Sequence, residues 1–136
     1  MKLKTKILAV SRDRILVNLL HRGLNNGDFE IVSTEQSGNG LKDIVESEHP
    51  AFIILDIVMP SLDGVGTCLQ LRQWTQSPIM LLSTWNTSND MVRGLNLACD
   101  SYLTEPFGIA TLKTRIEYTL KHPSIAVLDN IKVSNN

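Results

Sequence analysis

The stretch FIILDIVMPSLDG, residues 52–64, constrains the fold of this chain more than any other. Four apolar residues, Phe52 to Leu55, run directly into one carboxylate, Asp56. A short apolar run with β-branched residues suits a strand buried on both faces, as in a parallel sheet. Pro60 stops simple continuation of that strand, and Asp63-Gly64 supplies turn chemistry before the next apolar stretch. Asp56 therefore stands at the carboxyl end of a buried strand, where open α/β sheets place their chemistry.

The rest of the chain repeats this arrangement. Strand candidates are Lys6–Val10, Phe29–Thr34, Ala51–Asp56, Ile79–Ser83 and Ser101–Thr104. Helix candidates lie between and after them. Ile15, Leu16, Leu19, Leu20 and Leu24 recur at helical spacing, as do Leu41, Ile44 and Val45. Further sets are Val65, Cys68, Leu69 and Leu71; Met91, Val92, Leu95 and Leu97; and Ile109, Leu112, Ile116 and Leu120. Five βα units predict an α/β protein with right-handed crossovers and helices on both faces of a five-stranded parallel sheet. A doubly wound sheet of this kind, ordered 2-1-3-4-5, brings the ends of strands one, three, four and five to one rim. That rim would hold Ser11, Arg12 and Asp13, then Asp56, Ser83 and Glu105-Pro106.

Composition removes several other functions. The chain has 136 residues, enough for one domain with one core. It is 43% hydrophobic and 20% charged with a net charge of −1, which advertises no nucleic-acid surface. Cys68 and Cys99 form no CxxC pair and lie in apolar helical patterns, so packed free thiols are expected rather than a metal site. The apolar run Ile7–Val10 is too short for a signal sequence, and no stretch approaches the roughly 18 apolar residues of a membrane span. A cytoplasmic protein without membrane contact is expected. His21, His49 and His122 fall away from the predicted rim, and SRDR replaces a Gly-rich phosphate loop after strand one.

Taken together, IILDIVMPSLDG, PIMLLST and VRGLNLACDSYLTEPF resemble the receiver domain of two-component response regulators, the CheY-like fold. The resemblance runs from residue 5 to about 121 and implies a (βα)5 flavodoxin-like architecture. It implies that Asp56 is the phosphoacceptor position, normally served by a histidine kinase. Ser83 and Tyr102 match the hydroxyl and aromatic switch positions. In the family, Mg2+ held by an acidic pair after strand one, and a lysine after strand five, neutralise the phosphoryl charge.

This chain departs from the family at those positions. Ser11 and Arg12 replace the acidic pair, with Asp13 as a possible substitute acid, and Glu105 replaces the lysine. Arg12 is expected to pair with Asp56, Glu105 or both, since a guanidinium fork suits carboxylates. The alternative leaves Arg12 and Glu105 as solvated surface charges. Mg2+ binding is expected to be weak or absent, and no other metal or cofactor is implied. Pro106 is a cis-proline candidate.

The resemblance extends to the OmpR/PhoB-like subgroup, whose receivers join a winged-helix DNA-binding domain and dimerise through the helix 4–strand 5–helix 5 face. Arg93, Asp100 and Arg115 match charged positions of that face, whereas Thr111 and Ser101 stand where acids are often found. Residues 122–136, including IAVLDNIKV, resemble a linker and the opening strand of such an effector. DNA would then be bound only outside this chain. Three functions stay open: a degenerate, phosphorylation-independent regulatory receiver that is not an enzyme, a working phosphoacceptor, and a flavodoxin-like small-molecule binder.

Overall fold

The computed structural model describes residues 4–25, 27–56, 64–83, 101–104 and 107–122. Five strands, β1 (Thr5–Val10), β2 (Phe29–Thr34), β3 (Phe52–Asp56), β4 (Ile79–Ser83) and β5 (Ser101–Thr104), form one sheet. All pairings are parallel and the order is β2-β1-β3-β4-β5. Four helices are described: α1 (Arg14–Leu24), α2 (Gly38–Glu48), α3 (Gly64–Trp74) and α4 (Ile109–Lys121). The helix expected around Met91–Leu97, Cys99, and the tail beyond His122 lie outside the described residues.

The period-2 alternation of strand side chains sorts the sheet into two cores. Ile7 and Ala9 of β1, Phe52 and Ile54 of β3, and Met80 and Leu82 of β4 pack with α1 and α4. Their neighbours Leu8 and Val10, Ile53 and Leu55, and Ile79 and Leu81 pack with α2 and α3 on the opposite face. Cys68 is buried in this second core.

Helix α1 reads its own amphipathic pattern selectively. Leu16, Leu20 and Leu24, four residues apart, are buried, whereas Ile15 is 82% exposed and Leu19 is also exposed. The i, i+4 stripe owns the core-facing side, and the residue before each member is turned roughly 100° away. Leu69 of α3 is likewise exposed, while Cys68 and Leu71 are buried. The apolar sets read from the sequence were therefore too wide at Ile15, Leu19 and Leu69.

Gly23 marks where α1 meets α4. A Cβ built there would lie 2.6 Å from Ile109 Cγ2, so the absence of a side chain permits this approach. His49 caps the end of α2 in the left-handed conformation, at φ 48°. Its backbone N–H returns to the Val45 carbonyl at 3.0 Å, closing the helix where a glycine is commonest.

Candidate functional site

The register of the sheet explains which groups meet at its carboxyl rim. Val10 pairs with Leu55, so the next residues, Ser11 and Asp56, come side by side. Both also follow the parity of the α1 and α4 face, two positions beyond Ala9 and Ile54. The Ser11 backbone N–H donates to the Thr34 carbonyl at 3.0 Å, extending the contact between β1 and β2 by one residue.

At that point Ser11 Oγ donates a hydrogen bond to Asp56 Oδ2 at 2.7 Å. Both residues are buried, with 2% and 3% of their surface exposed. Hydrogen bonds to an ionised acceptor are shorter and stronger than neutral ones, and this one is shielded from water. The same Ser11 oxygen accepts the Asp13 backbone N–H at 3.0 Å. One hydroxyl thus joins the strand carboxylate to the chain entering α1.

Asp13 is occupied differently. It is the N-cap of α1, and its Oδ1 accepts from the N–H groups of Ile15 and Leu16 at 3.0 and 3.2 Å. An aspartate side chain at this position satisfies amides that the helix leaves without partners.

Arg12 is exposed and makes no ion pair with Asp56. The expectation that its guanidinium holds this carboxylate is corrected: the neighbouring serine does so. Alternation along the extended chain turns Ser11 towards the Asp56 side and leaves Arg12 outside. Sequence reasoning weighed residue 11 only as a missing acid. A buried serine whose strand register faces a buried aspartate was the signal that would have found the bond. Any pairing of Arg12 with Glu105 lies outside the described residues, as do Glu105, Pro106, Arg93 and Asp100.

Ser83 and Tyr102 are described as strand positions. Asp56 pairs in register with Leu82, so Ser83 is one step further along the rim, opposite Thr104. Tyr102 pairs with Leu81. Arg115 and Thr111 are exposed on α4. Among the described residues, no group of three His, Cys, Asp or Glu side chains is arranged to hold a metal ion. No helix among them is long and apolar enough to cross a membrane.

Known proteins share this fold and part of this sequence. Residues 7–117 match the response regulator receiver domain family. The chain is 34% identical over 122 residues to the alkaline phosphatase synthesis transcriptional regulatory protein PhoP of Bacillus subtilis, covering 89% of this chain and 50% of that protein. It is 31% identical over 133 residues to the probable transcriptional regulator ycf27 of Porphyra purpurea, covering 98% and 54%. The chain thus spans about half the length of the curated relatives it matches. Among solved structures, the N-terminal domain of the nisin resistance regulator NsrR superposes with a TM-score of 0.77 at 28% identity, covering 87% of this chain and 99% of that one. The BeF3-activated receiver domain of Klebsiella pneumoniae RstA does so at 0.74 and 27%, covering 86% and 99%. The parallel sheet, the carboxylate at the end of β3 and these matches place the chain in the response regulator receiver domain family of two-component signalling.

Proposed function

We propose that this chain is an atypical receiver that regulates by association, largely independently of Mg2+-dependent phosphorylation on Asp56. The buried bond from Ser11 Oγ to Asp56 Oδ2 is the observation that carries this reading. A phosphoacceptor oxygen must be free to attack, and the charge that then accumulates must be neutralised. Here a hydroxyl already holds one oxygen. The residues beside it also suit Mg2+ poorly. This ion prefers carboxylate and water oxygens in octahedral array. Ser11 has given its hydrogen to Asp56, Asp13 caps α1, and Arg12 brings a positive charge.

In this reading residues 5–121 are the receiver and 122–136 lead towards an effector outside the chain. The similarity to PhoP and ycf27, both transcriptional regulators of roughly twice this length, supports a cytoplasmic DNA-binding partner domain of the OmpR/PhoB-like kind. Homodimerisation through the face containing α4, β5 and Arg115 would then bring two effectors together. A histidine kinase or another regulatory protein would act on the other faces.

The second reading is a working phosphoacceptor. Asp56 at the end of β3 and Ser83 at the end of β4 favour it. An amide NMR titration with Mg2+ and then beryllofluoride separates the two. The proposal expects unchanged resonances around residues 11, 56 and 83. Saturable shifts there would establish a competent phosphoryl site and overturn it.

A further inference from the structure

A chain of hydrogen bonds runs from the end of β3 into α1. Ser11 Oγ donates to Asp56 Oδ2 at 2.7 Å and accepts the Asp13 N–H at 3.0 Å. Asp13 Oδ1 in turn accepts the N–H groups of Ile15 and Leu16, and the Asp13 carbonyl accepts that of Val17 at 2.9 Å.

We propose that the Ser11 hydroxyl is a relay through which the state of the Asp56 carboxylate sets how firmly the first turn of α1 is anchored. The relay deepens the reading of an atypical receiver and rests on the same Ser11–Asp56 bond. The first support is the valence of a hydroxyl, which has one hydrogen and two lone pairs. Because the hydrogen goes to Asp56, the oxygen presents its lone pairs to the Asp13 N–H. Donation to a carboxylate also polarises the O–H and makes its oxygen a better acceptor. A group that takes Asp56 Oδ2 releases the hydroxyl to rotate, and the bond to Asp13 loses both advantages.

The second support is the location of the slack. Ser11 and Asp56 are buried, and the Ser11 backbone is tied to the Thr34 carbonyl. Arg12, Asp13 and Arg14 are all exposed. A change at Asp56 is therefore taken up where the chain is least packed, at the entry to α1. Asp13 stands there in extended backbone, φ −80° and ψ 104°, which aims its side chain at the helix amides. Freeing its N–H lets that aim vary, and a weakened N-cap is felt within the first turn. Ile15, 82% exposed, is carried on that turn, so the relay reaches the surface there.

The test is native-state amide hydrogen exchange by NMR on the full chain. Neither Mg2+ nor beryllofluoride is present, so a competent phosphoryl site leaves the result unchanged. Asp56→Asn keeps the shape of the side chain and leaves only a neutral acceptor. It should speed exchange at residues 15–17 by about three- to fivefold relative to α4, and move the Asp13 amide proton upfield. In a Ser11→Ala background the same replacement should change those rates by less than about 1.5-fold. Ser11→Thr, which keeps the hydroxyl, should restore the response. Equal acceleration with and without the hydroxyl would overturn the relay. So would acceleration spread evenly over α4, or an Asp13 amide proton that Asp56→Asn leaves in place. Should Ser11→Ala fail to fold, the Asp13 amide proton in Asp56→Asn decides alone.

Discussion

Replacing Ser11 by alanine removes one hydroxyl from a pair of groups that water does not reach. A hydrogen bond to a charged group contributes about 1.5–3 kcal/mol, and leaving its buried partner short of a donor costs a similar amount. Ser11 and Asp56 are 2% and 3% exposed, so water cannot readily replace the missing donor. The Asp13 N–H also loses its acceptor, but it sits at a part-exposed helix start and turns to solvent at small cost. Ser11→Ala should therefore destabilise the domain by about 2–3 kcal/mol. With a urea m-value of about 1.5 kcal/mol/M, the unfolding midpoint falls by roughly 1–2 M. Asp56→Ala completes a double-mutant cycle. In that background the cost of Ser11→Ala should shrink to about 0.5 kcal/mol, giving a coupling of about 1.5–2.5 kcal/mol. Urea unfolding of the four proteins, followed by far-UV circular dichroism, measures it. A coupling below about 0.5 kcal/mol would refute the reasoning, because the bond would then contribute no more than an exposed one.

Further outcomes follow from other parts of the structure. Gly23→Ala gains about 1 kcal/mol of helix propensity but meets Ile109 at 2.6 Å, so a net loss of about 1 kcal/mol is expected. In an Ile109→Ala background the same change should become stabilising, a reversal that thermal melts can read. His49→Gly relieves a left-handed side-chain conformation at φ 48° and should raise stability by about 0.5–1 kcal/mol in urea unfolding. Ser11→Asp/Arg12→Asp supplies the carboxylates that Mg2+ prefers, and calorimetry should detect millimolar or tighter binding by this variant and none at millimolar Mg2+ by the unmodified chain. Lys6 donates to Glu48 at 2.9 Å, and this bond raises the Lys6 pKa above its ordinary value. The pair is thus fully present at neutral pH and fades as pH rises through that raised value. Lys6→Met should flatten this alkaline loss of stability, and an unaltered pH profile would show that the pair is immaterial.

Much of the sheet was legible because its residues obey one rule. Apolar runs bounded by turn signals located β1, β3 and β4 to within a residue, since strands covered on both faces need continuous hydrophobicity, whereas the edge strand β2 was found from its alternation of covered and exposed residues. Helix faces were read less well. Ile15 and Leu16 look alike in a sequence, and only the packing of α1 on the sheet decides that Leu16 is covered and Ile15 is not. At the rim, residue chemistry identified the right neighbourhood and the wrong partner. Arg12 is the better carboxylate ligand in the abstract, but strand parity delivers Ser11. The role of Asp13 as N-cap was equally local, yet its value as a replacement acid drew attention away from the two amides it serves.

The approach of α1 to α4 over Gly23 has a consequence for how such a chain can drift over generations. Ile109 fills the space that a side chain at position 23 would occupy. Bulk at these two positions is a shared quantity, so neither site varies alone without strain or a void. In related chains, a larger residue at the position of Gly23 should travel with a smaller one at that of Ile109. Single changes at either should be rarer than their individual exposure suggests, and the pair would record the spacing of two helices across divergent sequences.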